Sequence, residues 1–204
     1  MSRKKSAAAL LYFAVHKPYM VLSQFTPEHG KAHLGNYFRF PKDVYSLGRL
    51  DEDSEGLLIL TNDRELKTRA MNTDLKVPKT YAVQVEGRIT PEALQKLASG
   101  VHIRVNGSDH FTAPAEAKLL ENPGFPPRVP PVLKPSTWIS LTVYEGKFRQ
   151  VRRMTAAVGF PTLRLVRTGY GAITLGNLEA GACVQLSRKA AWLKITGAEP
   201  DQLP

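Results

Sequence analysis

Residues 48–63 place Asp51, Glu52, Asp53 and Glu55 directly ahead of the apolar run Leu57-Leu58-Ile59-Leu60, in a chain that is otherwise basic. Carboxylates at this density can hold a divalent cation, attack an electrophilic carbon, or stabilise a developing positive charge. A calcium loop fits its opening positions, with Asp51, Asp53, Glu55 and Gly56 in place. It fails at the twelfth, where Asn62 stands instead of a bidentate Glu. Asp51 and Asp53 could serve a metal-dependent hydrolase, but residues two apart on an extended chain point to opposite sides, so the loop would have to curl. The plain alternative is an acidic turn capping the next strand.

A second constellation lies between Gly146 and Gly169, where Lys147, Arg149, Arg152, Arg153, Arg164 and Arg167 occur without a single acid. The spacing predicts a helix over 147–158, with Val151, Met154 and Val158 as its apolar stripe and Gly159 and Pro161 as its stop. On such a helix Arg149, Arg152 and Arg153 share a face that can grip a phosphate or a carboxylate bidentately. A solvated charged face is the alternative. Elsewhere, His29 and His33 read as ordinary surface, Ser54 sits in no nucleophile elbow, and Cys183 falls in an apolar strand and reads as buried and inert.

These groups must be positioned by a chain of 204 residues that carries 28 Lys+Arg against 18 Asp+Glu, a formal charge of +10. That balance favours a polyanionic partner, with nucleic acid ahead of membrane. The single cysteine excludes an internal disulfide, and the apolar run 7–15 is too short to span a bilayer. Alternation predicts strands at 11–16, 21–24, 56–61, 80–86, 137–144, 162–166, 172–175, 181–186 and 190–195. In the strand at 80–86 Lys79 shares the face of Tyr81. Thr90-Pro91-Glu92 opens a helix that Gly100 ends, and Asn106-Gly107 suits a hairpin. Residues 123–135, rich in proline, read as an exposed loop. Strands outnumber helices without βαβ alternation, so the expected fold is α+β on a mixed, mostly antiparallel sheet.

Taken together, the two segments resemble the bacterial rRNA pseudouridine synthases of the small-subunit synthase A type. Gly48-Arg49-Leu50-Asp51, then Ser54-x-Gly56-Leu57-Leu58-x-Leu60-Thr61-Asn62-Asp63, is similar to that family's signature. Lys79-Thr80-Tyr81 resembles its Lys-x-Tyr motif, and residues 145–154, Glu-Gly-Lys-Phe-Arg-Gln-Val-Arg-Arg-Met, its third motif. Leu163-x-Leu165-x-Arg167 and the glycine-punctuated stretch after it continue the likeness, which runs from Tyr12 to Leu186. One departure is Lys17-Pro18-Tyr19-Met20, where relatives often carry Lys-Pro-x-Gly.

The resemblance implies the isomerisation of uridine to pseudouridine within ribosomal RNA, without metal, nucleotide or redox cofactor. It implies Asp51 as the catalytic carboxylate, Arg152 as its ion-pair partner, and Tyr81 against the target uracil. Arg49, Lys79, Arg149 and Arg153 are the implied contacts to RNA, while Glu52, Asp53 and Glu55 face solvent or cap the turn. The expected organisation is a basic tail at 1–10, one catalytic domain at 11–196 with two subdomains around a cleft, and a tail at 197–204. No separate N-terminal RNA-binding domain is expected. With the proline-rich insertion, this implies a target in large-subunit rRNA, free or in an assembling particle, near the peptidyl-transferase centre; a monomer in the cytoplasm is the separate expectation. A non-catalytic RNA-binding or ribosome-assembly factor on the same fold is the competing expectation.

Overall fold

The computed structural model describes residues 9–200. Most of the expected 1–10 tail, and the end of the 197–204 tail, lie outside the described residues. Fifteen elements follow one another: β1 (Tyr12–Lys17), β2 (Tyr45–Ser46), β3 (Glu55–Thr61), α1 (Arg64–Met71), β4 (Lys79–Glu86), α2 (Pro91–Ser99), β5 (His102–Val105), β6 (Ser108–Phe111), β7 (Glu116–Leu119), β8 (Ser136–Val143), α3 (Gln150–Ala157), β9 (Thr162–Tyr170), β10 (Ile173–Thr174), β11 (Cys183–Gln185) and α4 (Arg188–Thr196). The main sheet runs β11-β1-β3-β9-β4-β8-β7, with β2 added on β3 and β10 on β9. Strands β3 and β9 pair in parallel and the other pairs in this sheet are antiparallel. This is the expected mixed, mostly antiparallel α+β architecture.

The apolar run of β3 has no polar side because both of its faces are covered. Leu57 and Ile59 pack with Leu66 of α1 and Trp192 of α4, whereas Leu58 and Leu60 pack with Val15, Leu34 and Phe38 on the opposite face. A third core joins β4 and β8 to α2 and α3 through Val83, Ile139, Leu97 and Met154. The strand ends in a polar knot. Asp63 caps α1 by accepting from Glu65 and Leu66, and its other oxygen accepts from the Tyr12 hydroxyl at 2.7 Å and the Trp192 indole at 2.9 Å.

Several elements differ from the sequence-based expectation. Residues 190–195 lie in helix α4: Ser187 caps its start and Gly197 ends it in the left-handed conformation. Residues 21–24 form no strand, and Leu22 makes only an isolated bridge to His33. Helix α3 starts at Gln150, so Lys147 and Arg149 precede it. Cys183 is exposed, because β11 is an edge strand. The β5–β6 hairpin and the α2 caps Thr90 and Gly100 occur where expected. The proline-rich stretch joins β7 to β8 without regular structure.

Candidate active site

A cleft of about 580 Å³ opens over the face of the sheet formed by β4, β8 and β9. This is within the range of ligand pockets, roughly 300–1,000 Å³. Lys79 and Tyr81 on β4 and Leu165 and Arg167 on β9 are each two residues apart, so all four side chains emerge on the same face and line the cleft. Register brings Tyr81 opposite Arg167, beside a bulge between Thr80 and Tyr81. The loop between β2 and β3 supplies the other wall with Arg49, Leu50 and Asp51.

Local hydrogen bonding holds that loop. The Ser23 hydroxyl donates to the Leu50 carbonyl at 2.7 Å and accepts from the Leu50 amide at 3.1 Å. The Ser54 amide closes a turn on the Asp51 carbonyl at 3.1 Å. Lys17 is buried, and its ammonium donates to the carbonyls of Pro18, Val21 and Glu52, tying the first strand to the acidic turn. Burial lowers its pKa to about 8, against the pull of the surrounding carboxylates. Beyond the turn the chain must pass close to β9. A Cβ on Gly56 would lie 2.3 Å from the Arg167 carbonyl oxygen, so only glycine fits where β3 and β9 meet.

The third wall is the segment before α3. Glu145 accepts from the Ala113 amide at 3.0 Å and from the Gln150 amide group at 2.7 Å, and pairs with His110 at 3.1 Å. Gln150 in turn accepts from the Lys147 amide at 3.0 Å. Arg149, at the N-cap of α3, adopts φ 53°. A left-handed non-glycine residue is strained by about 1–2 kcal/mol. The conformation carries the guanidinium out of the helix and on to Asp53.

The carboxylates are engaged differently from the expectation. Arg149 binds Asp53 through both terminal nitrogens, at 2.9 and 2.8 Å, and its Nη1 stands 3.7 Å from the Asp51 carboxylate. Arg152, expected to pair with Asp51, instead pairs with Asp53 at 3.3 Å and donates to the Asp53 carbonyl at 2.7 Å. Burial pushes the Asp53 pKa up, but the Arg149 hydrogen bond and the charges of Arg152 and Arg149 outweigh it and hold the carboxyl below its ordinary value. Glu55 does not face solvent. It is buried in a bidentate pair with Arg164 on β9, at 2.9 and 2.8 Å. Glu52 binds Lys31 at 2.8 Å. Among the described residues no three His, Cys, Asp or Glu side chains converge as a metal site.

The remaining basic residues fall into two groups. Arg49 is exposed at the rim, and Arg153 lies over the Phe148 ring, 5.5 Å from its centroid. Lys79 lies deeper, its pKa lowered by burial and by the Arg167 charge against the opposing pull of Glu145. In the sequence, Arg167 and Glu145 stand only within motifs, and Asp53 is expected to face solvent or cap the turn. The predicted strand ends at Val166, one residue short of Arg167, and the Arg149–Asp53 pair spans almost half the chain.

A small sheet-based domain with a basic cleft and a carboxylate beside an arginine defines a class of protein, and the chain belongs to the RNA pseudouridylate synthase family, whose model matches residues 11–157. It is 48% identical over 170 residues to the ribosomal large subunit pseudouridine synthase E of Vibrio parahaemolyticus, covering 81% of this chain and 69% of that protein. To the synthase E of Xanthomonas campestris it is 46% identical over 177 residues, 82% of this chain and 90% of that one. The ribosomal large subunit pseudouridine synthase B of Bacillus subtilis is 35% identical over 178 residues, 87% and 68% respectively. A crystal structure of a pseudouridylate synthase superposes with a TM-score of 0.75 at 26% identity, covering 90% of this chain and 73% of that one.

Proposed function

We propose that this chain converts one uridine of large-subunit ribosomal RNA, near the peptidyl-transferase centre, to pseudouridine, with Asp51 as the carboxylate acting at the ribose. The observation that carries this reading is the meeting of Asp51, Tyr81 and a guanidinium 3.7 Å from Asp51 in one cleft. The reaction detaches uracil from C1′, turns it, and rejoins it through C5. An ionised carboxylate facing C1′ serves as nucleophile or as charge stabiliser, and the Arg149 guanidinium 3.7 Å away is placed to orient it. Tyr81 offers its ring to the base. Arg152 braces the acidic turn through Asp53, so its part is to position Asp51.

A base must leave its stack to reach such a cleft, at a cost of a few kcal/mol. Arg49 at the rim, Arg149 beside the acidic turn, Lys79 within, and Arg153, which lies over the Phe148 ring but outside the cleft lining, are the cations that offset this cost by holding the RNA backbone and the displaced nucleotide. Residues 11–196 would act as one catalytic domain, as a monomer in the cytoplasm and with no cofactor. No described helix is long and apolar enough to cross a membrane.

The test is carbodiimide mapping of rRNA from a strain lacking the protein. One reverse-transcription stop in large-subunit rRNA should vanish and return with the wild-type chain. An unchanged pattern would refute the reading, and rescue of ribosome assembly by an inactive variant would favour the binding factor.

A further inference from the structure

Arg167 is 3% exposed, yet little of its guanidinium is satisfied. Nε donates to the Leu57 carbonyl at 2.7 Å, and Nη2 is buried without a hydrogen-bond partner. No ion pair joins it to a carboxylate among the described residues, whereas its neighbour on β9, Arg164, is fully matched by Glu55. A second cation stands nearby. Lys79 Nζ and Arg167 Cζ lie 5.8 and 5.4 Å from the centroid of the same buried ring, Tyr170, and both side chains line the cleft opposite the Asp51 loop. Among the described residues the Lys79 ammonium has one protein acceptor, the Val77 carbonyl at 2.9 Å.

A buried donor without a partner costs about 1–3 kcal/mol, and more when charged. Such a group persists where a ligand completes it. The ligand must reach the strand floor, present acceptors in a plane to match the guanidinium fork, and carry negative charge at some stage to balance two cations.

We propose that Arg167, with Lys79, receives the carbonyl oxygens of the target uracil and stabilises the base as an anion while it is detached from the ribose. The assignment rests on the pseudouridine synthase reading. Breaking C1′–N1 sends the bonding pair to N1, and the charge spreads on to O2 and O4. Bond formation from C5 to C1′ consumes it, the C5 proton is then lost, and N1 gains a proton, so the base is isomerised with no co-reactant. Asp51 faces the positive sugar carbon from the opposite wall while the two cations face the base. Donors already in place where charge develops need no reorganisation at that moment.

The experiment compares single-turnover consumption of the target nucleoside in rRNA fragments containing uridine or 5-fluorouridine, read by chromatography of digested RNA. The fluorinated base is the better anion and needs less help. Arg167→Met should slow uridine consumption by about 10²- to 10³-fold, as for loss of an oxyanion donor, and should recover at least tenfold on 5-fluorouridine. Lys79→Met should show the same selectivity, and Arg167→Lys should lie between Met and wild type. For Arg167→Met, RNA affinity and its salt dependence should stay within twofold of wild type. Equal slowing on both bases would overturn the assignment, as would a salt slope reduced by about one, the mark of a phosphate contact. If Arg167→Met fails to fold, Lys79→Met decides by its selectivity between the two bases alone. A wild-type protein inactive on uridine would refute the underlying activity, and this assignment with it.

Discussion

Arg149 holds Asp53 with both terminal nitrogens, at 2.9 and 2.8 Å, while standing 3.7 Å from Asp51. Asp53 also takes Arg152 at 3.3 Å, so one carboxylate keeps two guanidinium groups in place next to another. Asp53→Asn should leave both arginines without their main partner and let Arg149 close on Asp51. The expected result is a 10- to 100-fold fall in isomerisation rate, the scale of a displacement of about 1 Å in an active site. RNA affinity should hold or rise, since a negative charge is removed. The pair is partly exposed, so stability should change by no more than about 1 kcal/mol. Single-turnover kinetics and filter binding on the same preparation check this, and a parallel loss of both would contradict it.

Two of the three arginines expected to contact RNA, Arg149 and Arg153, should differ in salt dependence. Arg153 lies over Phe148 with no carboxylate partner among the described residues, whereas Arg149 is compensated by Asp53. Arg153→Ala should lower the slope of log K against log salt by about 0.7–0.9, one phosphate contact. Arg149→Ala should lower it by clearly less. Equal slopes for the two variants and wild type would mean that neither touches phosphate.

The parts legible in the sequence are those governed by neighbours. Thr90, Pro91 and Gly100 mark α2, and Asn106-Gly107 marks the hairpin, because capping and turn chemistry act within a few residues. Residues 190–195 misled because a short apolar run suits a strand or a buried helix equally. Ser187 and Gly197, which cap α4, were the signals that could have separated them. Asp51, Tyr81 and Lys79 could be singled out from their motifs, but charge pairing could not. Glu55 and Arg164 meet across 109 residues, and Arg149 reaches Asp53 only by leaving the helical conformation that its spacing suggested.

The departure at Met20 has a physical consequence. Met20, at the position where the resemblance leads one to expect glycine, has a left-handed backbone, with φ 56°, and its side chain is exposed. Met20→Gly should therefore stabilise the fold by about 0.5–1 kcal/mol, the relief of strain less the greater chain entropy of glycine. Urea denaturation checks this. A destabilised variant would mean that the Met20 side chain makes compensating contacts.

Asp63 should govern acid stability. Burial raises its pKa, but hydrogen bonds from Tyr12, Leu66, Trp192 and Glu65 outweigh burial and hold it below the ordinary value. The native state therefore binds fewer protons than the unfolded chain, and this stabilisation is complete above the unfolded pKa of about 3.9 and is lost as pH falls through the native value. Tyr12 acts at the other end: burial, then Asp63, push its pKa up to about 12, so stability should fall between about pH 10 and 12. Asp63→Asn cannot accept four hydrogen bonds and should cost about 2–4 kcal/mol at neutral pH. Its stability should then vary less between pH 5 and 3 than that of wild type, as followed by urea titrations at each pH.

The central claim is that the carboxylate of Asp51, not the basic cleft alone, carries the function. Tritium release from rRNA bearing 5-tritiated uridine tests it directly, because the C5 proton leaves only when the base has been rejoined through C5. Wild-type protein should release one equivalent of tritium per target site. Asp51→Asn should release none above background while binding the same RNA within twofold of wild type. Full tritium release by Asp51→Asn would contradict the account.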